Sequence, residues 1–376
     1  MKRTLFLILT LVVLLAACSP KPTATPVATL PATEIPLLTP TEEPLEEGEI
    51  RIIDALDREV ILTGAPQRII ITGKGLIMVA DAVYAFPGAV DKVIGLGNAA
   101  QGAANFLELL DPDFPEKAVL TNEATAEEIA ALSPDLLILK SSVAERMGPA
   151  LDALGIPVVY VDFETPGQYA RDLAILGQIF ENEARANELI AFYQEKMEQV
   201  TTVVAAAVAP SVLLLSYSER DGVVAFSVPP LGWMQTLLVE MAGGDPAWKD
   251  ATLGFNWTTV TLEQIAAWDA DKIFIVNYVQ DPNEIVATLK ADPTWQGLRA
   301  VQANELYGFA GDVYSWDQPD PRWSLGLSWL ASRLHPDLFP SYDAVVEVQE
   351  FYQFMYGMEA AYIEANILPA FRGDLP

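Results

Sequence analysis

The feature that most constrains the fold is an internal repeat. The segment TAEEIAALSPDLLI, residues 125–138, returns 136 positions later as TLEQIAAWDADKIF, residues 261–274. Both copies keep the Thr, the first Glu, the Ile, two Ala and the Asp. In each copy the Thr is placed as a helix N-cap, the Glu follows where a helix favours negative charge, and an apolar run comes after the Asp. The repeat predicts two units of similar build, one in each half of the chain.

Short apolar, β-branched runs alternate with helical stretches along the whole body. Several runs are nearly continuous in hydrophobicity, which is typical of parallel strands covered on both faces. The alternation predicts an α/β layered fold. The predicted strands span residues 68–72, 92–96, 136–140, 158–162, 212–217, 272–278 and 305–309.

A long helical stretch lies at mid-chain, between the two copies of the repeat. Residues 168–208 contain neither Pro nor Gly except Gly177, and their apolar residues recur at helical spacing. Even with a break near Glu181 and Asn182, one helix of roughly 20 to 25 residues, about 30 to 37 Å, is expected. Its natural use is a rigid rod between two lobes, and the alternative is a long surface helix within one domain.

The N-terminus carries an export signal pattern. Lys2 and Arg3 precede an apolar run at residues 5–17, which is too short to span a bilayer and is typical of a signal peptide. The run ends in LAAC, which resembles a lipoprotein cleavage site and implies lipid on Cys18, the only cysteine. The Pro- and Thr-rich residues that follow predict an extended tether.

The predicted organisation is a signal at 1–17, a tether at 18–48, an N-terminal lobe at 49–165, a connecting helix at 166–208 and a C-terminal lobe with C-terminal helices at 209–376.

Charge and composition exclude some functions. The net charge is −29, or −31 once Lys2 and Arg3 are removed (−29 minus 2), which argues against nucleic acid and anionic lipid surfaces as partners. His335 is the only histidine, so with Cys18 committed to lipid the chain lacks the ligands for a typical zinc site or a His-dependent nucleophile. We therefore expect no enzyme, with a two-lobed chelatase or hydrolase as the alternative.

Taken together, these motifs resemble the iron-siderophore, haem and cobalamin class of periplasmic binding proteins. The resemblance also includes residues 53–60 and 66–70 near the start, AGG at 242–244 and SLGLSWLASRLHP at 324–336. It implies two Rossmann-like lobes joined by a single long inter-lobe helix, the class III architecture, with the ligand in the cleft and only small opening motions. It also implies that Glu127 and Glu263 dock on the arginines of an ABC permease. We expect a monomer, held by the lipid on Cys18 at the outer face of the cytoplasmic membrane.

In open α/β sheets a ligand lies beyond the carboxyl ends of the strands, which selects a set of cleft candidates. Aromatic rings with a few cations suit a bulky, partly apolar anionic ligand such as a ferric siderophore or a tetrapyrrole, without an intrinsic cofactor. Three alternatives stay open: direct metal binding by Tyr and Asp, a metal oxyanion such as molybdate or tungstate, and a surface sensor of the same fold without transport. The candidates are Lys74, Lys140, Ser141, Tyr217, Arg220, Trp233, Trp257, Tyr278, Tyr314, Trp316, Asp317 and Arg322.

Overall fold

A computed structural model of the chain describes residues 46, 48–98, 105–121 and 123–375. The predicted signal peptide, the lipid attachment at Cys18 and nearly all of the predicted tether lie outside the described residues. Within the part that the structure describes, no helix is both long and apolar enough to cross a bilayer.

The N-terminal lobe is built on a five-stranded parallel sheet. Its strand order is β5-β4-β3-β6-β7, and the antiparallel pair β1–β2 precedes it in the chain. The strands are β1 (Ile50–Ile53), β2 (Glu59–Leu62), β3 (Ile69–Ile71), β4 (Val93–Gly97), β5 (Ala118–Leu120), β6 (Leu136–Lys140) and β7 (Val158–Val161). The helices are α1 (Leu76–Tyr84), α2 (Ala89–Lys92), α3 (Phe106–Leu110), α4 (Ala126–Ala131) and α5 (Ala144–Ala153). Every residue of β6 is buried, as expected for a parallel strand covered on both faces.

The mid-chain helical stretch breaks near Glu181 and Asn182, where the sequence allowed for a break, and one of its two helices has the expected length of roughly 20 to 25 residues. The two helices are α6 (Pro166–Ile179) and α7 (Glu183–Val204), and the chain turns between them where Glu181 adopts a positive φ of 48°. The side chain of Asn182 then caps α7 by accepting a hydrogen bond from the backbone N–H of Arg185 at 3.1 Å. The turn lets α6 pack on the N-terminal lobe and reverse into α7, so that α7 alone runs between the lobes.

Helix α7 is the strut between the lobes. At its start, Arg185 Nε donates to the carbonyl of Ala85 in the N-terminal lobe at 3.1 Å. At its end, Val204 lies so close to Gly243 of the C-terminal lobe that a Cβ atom there would come within 2.8 Å of the valine. Its 22 residues correspond to about 33 Å of helix. The two lobes belong to one compact unit.

The C-terminal lobe contains a mixed sheet with strand order β11-β9-β8-β12-β13, and β10 pairs with the start of β8. β9 runs antiparallel to both of its neighbours, while β8, β12 and β13 are parallel. The strands are β8 (Ser211–Arg220), β9 (Val223–Val228), β10 (Asp245–Pro246), β11 (Thr258–Val260), β12 (Lys272–Val276) and β13 (Leu306–Gly308). The helices are α8 (Met234–Met241), α9 (Leu262–Trp268), α10 (Pro282–Ala291), α11 (Arg299–Gln302), α12 (Trp323–Leu334), α13 (Ala344–Tyr356) and α14 (Ala360–Asn366).

The two copies of the repeat occupy equivalent places. In each sheet an edge strand, β5 or β11, leads through a short helix, α4 or α9, to the strand next to the centre, β6 or β12. Both helices begin with a complete capping box, formed by Thr125 with Glu128 and by Thr261 with Gln264. The predicted two-lobed α/β fold is confirmed. The lobes differ at one step, because β4 returns parallel to β3 through α1, whereas β9 follows β8 in a hairpin.

The side chains between the lobes form a buried seam on the α7 side. The loop at residues 309–322 of the C-terminal lobe is held there by tyrosines of the connecting helices. Tyr169 donates its hydroxyl hydrogen to the carbonyl of Pro319, and Tyr193 does the same to Pro321, each at 3.0 Å. The C-terminal helix α13 completes the seam, since Tyr356 reaches the carbonyl of Asp81 at 3.2 Å. With this much buried contact, large independent lobe motion is disfavoured.

Candidate functional site

The carboxyl ends of β6 and β7 bring together a lysine and a glutamate on the N-terminal lobe. Lys140, the last residue of β6, is buried, and its Nζ is paired with the Glu164 carboxylate while it lies 3.1 Å from Met78 Sδ. The charge of this predicted cleft lysine is therefore already balanced by the protein. The sequence analysis missed Glu164, although the strand-end rule applied to β7 would have included it.

Lys74 lies on the turn that follows β3. The turn is flanked by Gly73 and Gly75, with φ of 91° and 70°, a conformation that side chains with a Cβ rarely adopt. A Cβ on Gly75 would also lie 2.7 Å from Cδ of Lys140, so glycine leaves room for the lysine stem across the turn. Lys74 itself is exposed. It is the predicted cation of this lobe that remains available to a ligand.

Ser141 opens a polar network at the end of β6. Its hydroxyl hydrogen-bonds to the carboxylate of Asp162, which also receives Arg171 Nη2 at 2.6 Å. Arg171 Nε binds the neighbouring carboxylate of Asp172 at 2.8 Å. Burial raises the pKa of Asp172, with its hydrogen bonds to Arg171 and to backbone N–H groups acting in the opposite direction. The network fixes the hydroxyl of Ser141 at the strand end.

An aromatic surface lies on the C-terminal lobe. Trp233 is the N-cap residue of α8, Trp257 immediately precedes β11, and their rings meet edge to face with centroids 6.1 Å apart. Both are only partly buried. Leu231 and Phe255, which the sequence analysis did not select, are also exposed, Phe255 to 96%. An exposed apolar group of this kind is typical of a surface that meets a partly apolar ligand.

Tyr278 and Asp317 form a hydrogen-bonded pair beside this surface. The tyrosine hydroxyl donates to Asp317 Oδ2 at 2.9 Å, and Ser315 donates to Oδ1 at 2.6 Å. Gln235, at the start of α8, also donates to Oδ2 at 3.3 Å. Burial raises the pKa of Asp317, and these hydrogen bonds lower it in part. Both carboxylate oxygens are occupied, so Asp317 orients Tyr278 and Gln235 and is not open to a ligand as it stands.

No direct metal-binding cluster is apparent in the part of the chain that the structure describes. There, no three or more His, Cys, Asp or Glu side chains are grouped in a way that could hold a metal ion.

Three predicted cleft residues lie elsewhere. Tyr314, Trp316 and Arg322 are fully buried in the seam between the lobes. The Tyr314 hydroxyl accepts the backbone N–H of Phe106 at 3.3 Å, and the Trp316 ring packs edge to face on Phe371. The prediction placed them correctly in a loop after the last strand, but α13 and the C-terminal segment cover that loop.

Arg322 is the centre of a buried ionic cluster. Its Nη1 lies 2.6 Å from Asp81 Oδ2, its Nε lies 3.1 Å from Asp312 Oδ1, and Asp320 approaches Nη1 to 3.7 Å. Its guanidinium also lies over the ring of Phe106, 4.1 Å from the centroid. Three buried carboxylates face one cation. Burial, the largest cause, raises the pKa of Asp81 to about 6 and that of Asp320 to about 8, so the cluster retains a proton near neutral pH.

Tyr217 and Arg220 lie within the last part of β8, which projects as a hairpin with β9. β12 pairs with β8 only as far as Ser216, and from there β8 continues with β9 alone. Tyr217 packs edge to face on Phe226 and donates to Glu219 Oε2 at 2.9 Å. Arg220 is exposed at the hairpin turn. Tyr217 stays next to the end of β12, since Asn277 Nδ2 donates to its backbone carbonyl at 3.1 Å, whereas Arg220 lies three residues further along the hairpin.

The two glutamates of the repeat are on the surface. Glu127 and Glu263 are exposed, each at the second position of its helix and beyond the carboxyl end of its edge strand. For Glu263, a hydrogen bond from its own backbone N–H and one from the Thr261 hydroxyl lower the pKa of the carboxyl group. Glu263 therefore remains an anion well below neutral pH, available to a cationic partner.

Comparison with known proteins identifies related chains over most of this length. A family model for periplasmic binding proteins matches residues 79–312, more than half of the chain. The molybdate-binding protein MolA of Haemophilus influenzae is 24% identical over 329 residues, 81% of this chain and 90% of that protein. A periplasmic solute binding protein from Veillonella parvula superimposes with a TM-score of 0.70 at 25% identity, covering 85% of this chain and 97% of the other. The TroA-like periplasmic binding protein FepB of the same organism shares the fold, with a TM-score of 0.67 at 20% identity over 81% of this chain and 95% of its own.

Proposed function

The chain belongs to the periplasmic binding protein family, and from this premise we propose that it is the receptor of an ABC importer for a bulky metal chelate, such as a ferric siderophore, haem or cobalamin. The observation that carries the proposal is the half-buried ring pair of Trp233 and Trp257, together with the exposed Phe255, on the C-terminal lobe. Such a surface suits a ligand with apolar faces. The N-terminal lobe adds Lys74 as the cation for an anionic group on the ligand.

A compact oxyanion is the second candidate. It is favoured by the relative MolA, whose name assigns molybdate to that protein. A small oxyanion needs several converging N–H and O–H donors, and the backbone of the turn at Gly73–Gly75 and the Lys74 ammonium could supply some of them, while the Ser141 hydroxyl already donates to Asp162. Against it, Lys140 is neutralised by Glu164, and exposed aromatic rings offer nothing to a hydrated oxyanion. We therefore rank the chelate first.

Delivery would use the two lobes together. Glu127 and Glu263 are exposed carboxylates at matching places on two lobes that α7 holds at a fixed separation. Two such anions can pair with two arginines of a permease by charge-assisted hydrogen bonds. The receptor acts as a monomer in this scheme, and it neither alters its ligand nor needs a cofactor of its own.

The N-terminal residues would keep the receptor at the membrane. Lipid on Cys18 holds the mature chain on the outer face of the cytoplasmic membrane, and the Pro- and Thr-rich tether lets the lobes reach the permease. The mass of the mature protein purified from host membranes tests this step. A chain that begins at residue 18 with added acyl chains is expected, and an unmodified Cys18 would contradict it.

The ligand proposal is tested on protein purified from its own host. Native mass spectrometry is expected to show a bound chelate, and absorbance in the visible range would distinguish haem or cobalamin from colourless ligands. The emptied protein is then titrated with a ferric catecholate chelate, haemin, cobalamin and molybdate, and binding is followed by tryptophan fluorescence. Trp257→Ala should weaken chelate binding by roughly tenfold, since a stacked aromatic ring contributes about 1–2 kcal/mol.

Trp268→Phe, at the end of α9, is the matched control and should bind as the parent does. Binding of molybdate alone would favour the oxyanion receptor. Chemical conversion of the ligand would favour an enzyme. If the protein binds the ligand but charge reversal of Glu127 and Glu263 leaves uptake unchanged, a surface sensor is favoured.

A further inference from the structure

An open groove lies on the C-terminal lobe beside the hairpin of β8 and β9. Its volume is about 570 Å³, and it separates these strands and β11 from helix α10. Its floor is aromatic, with Phe226 against the buried Trp295 at a centroid distance of 4.9 Å and Tyr217 next to Phe226. Ile285 and Leu289 of α10 form the opposite wall.

The fold does not require this groove. In the N-terminal lobe the equivalent layer lies between the sheet and helices α4 and α5, which correspond to α9 and α10. There the space is filled by a closed apolar cluster that includes Ile129 of α4, Leu137 and Leu139 of β6 and Leu151 of α5, all fully buried. The strand order is the same in both sheets, so the C-terminal lobe leaves open what the N-terminal lobe fills. Exposed apolar surface that packing could have removed is typical of a contact surface.

The groove has an acidic rim. Glu219, Glu284 and Asp292 line it, and its lining contains no Lys or Arg. Two exposed apolar side chains, Val224 on β9 and Leu262 on α9, stand at its margin. A second copy of the chain is an unfavourable partner for this groove. Its net charge is −29, so it would be repelled by the acidic rim. The complementary partner is a segment that carries both apolar and basic side chains.

The groove is continuous with the proposed docking glutamate of its lobe. Thr261 and Leu262 line it, and the next residue is the exposed Glu263. We propose that the groove receives a basic, amphipathic segment of the same ABC permease that Glu263 contacts. The inference rests on the proposed function and deepens it. Glu127, in contrast, lies on a lobe where the equivalent layer is closed, so the two lobes are unequal docking surfaces and the C-terminal lobe makes the larger contact.

Site-specific photo-crosslinking in the host's own membranes tests the inference with the full lipidated chain. A benzophenone amino acid is placed at Thr288, which is exposed and lines the groove, at Ala266 on the exposed face of α9, or at Glu198 on α7 as a control. Cross-links to an ABC permease subunit are expected from Thr288 and Ala266 and not from Glu198. The peptide linked to Thr288 should contain Lys or Arg.

The outcomes separate the two proposals. A permease cross-link from Ala266 without one from Thr288 would overturn the groove inference and leave docking through Glu263 intact. No permease cross-link from either site would count against the importer role itself. A small molecule attached at Thr288 would assign the groove to a second ligand and overturn its role in docking.

Charge reversal of the rim gives an independent measurement. Glu284→Lys combined with Asp292→Lys should reduce the yield of the Ala266 cross-link roughly tenfold, because like charges would then face each other. Glu240→Lys, exposed on α8, is the control and should leave the yield unchanged. An unchanged yield in the rim variant, with its thermal unfolding midpoint preserved, would contradict a basic partner segment.

Discussion

Arg322 of the C-terminal lobe and Asp81 of the N-terminal lobe form an ion pair, 2.6 Å between Nη1 and Oδ2, in which neither side chain is accessible to water. The pair joins α1 to the loop before α12. Because the partners come from different lobes, the contact couples the positions of the lobes as well as stabilising each of them. Asp312, Asp320 and the hydroxyl of Tyr352 complete its surroundings.

Removal of the cation should be costly. In Arg322→Met the three aspartates would remain buried without a counter-charge, and breaking a buried pair in this way typically costs about 3–5 kcal/mol. The free energy of unfolding in urea measures the effect. Arg299→Met is the control, since Arg299 pairs with Asp269 and Asp271 at the exposed surface and should change stability little. Equal losses in the two variants would contradict a special role for the buried cluster.

The same cluster should make stability depend on pH. The pKa of Asp320 is raised to about 8 and that of Asp81 to about 6, so the folded protein binds more protons than the unfolded chain above pH 4. The contribution of these groups is fully present below pH 4 and is lost as the pH rises toward 8. Between pH 6 and pH 8, stability should fall by roughly 2 kcal/mol for this reason.

Asp320→Asn isolates this effect. The amide cannot titrate, so the decline between pH 6 and pH 8 should become much smaller in the variant. Urea unfolding at a series of pH values gives both curves. Two results would show that Asp320 does not hold the proton. One is a parent protein whose free energy of unfolding increases between pH 6 and pH 8, and the other is a variant in which it changes with pH as steeply as in the parent.

Gly177 allows α6 and α7 to cross closely. A Cβ atom on it would lie 2.6 Å from Cβ of Ala186, which is closer than two such atoms can approach. Gly177→Ala should therefore destabilise the protein by about 1–3 kcal/mol, although alanine is the better helix former. Gly167→Ala in the first turn of the same helix meets no atom within 4 Å and should be neutral or slightly stabilising. Thermal unfolding midpoints compare the two, and a stabilising Gly177→Ala would disprove tight crossing.

Reversal of the docking charges should affect transport alone. Glu127→Lys and Glu263→Lys change exposed residues, so the thermal midpoint and ligand affinity should stay close to those of the parent. Uptake by cells should fall by at least about tenfold in the double variant, since two ion pairs become two repulsions. Glu123→Lys, an exposed residue shortly before α4, serves as the control. Normal uptake by the double variant would remove the docking proposal.

Some of the architecture follows directly from local sequence. The repeated Thr and Glu determine where α4 and α9 begin, because an N-cap acts on the backbone only three residues away. The apolar runs determine β6 and β12 in the same way. Since both repeat units contain the same series of local signals, the two-lobed α/β fold could be predicted without knowledge of any long-range contact.

The candidate site was predictable only in part. The strand-end rule correctly selected Lys74, Ser141 and Tyr278 as residues of loops at the carboxyl ends of strands. The rule could not determine which of the predicted lysines keeps an unpaired charge. Glu164 neutralises Lys140 only because β6 and β7 lie side by side in the folded sheet. Phe255 carried no signal in the sequence, since nothing local distinguishes an exposed phenylalanine from a core residue.

The sequence by itself determined the two lobes and the capped starts of α4 and α9, since short-range hydrogen bonding and periodicity are sufficient for these. Only the tertiary structure decided that Arg322, Tyr314 and Trp316 are buried and that the C-terminal lobe keeps an open groove. The physical reason is that burial depends on which distant segments cover a residue. For the loop at 309–322 the covering segment is α13 and the C-terminus, whose Arg372 pairs with Gly311 through backbone hydrogen bonds of 3.0 and 3.1 Å.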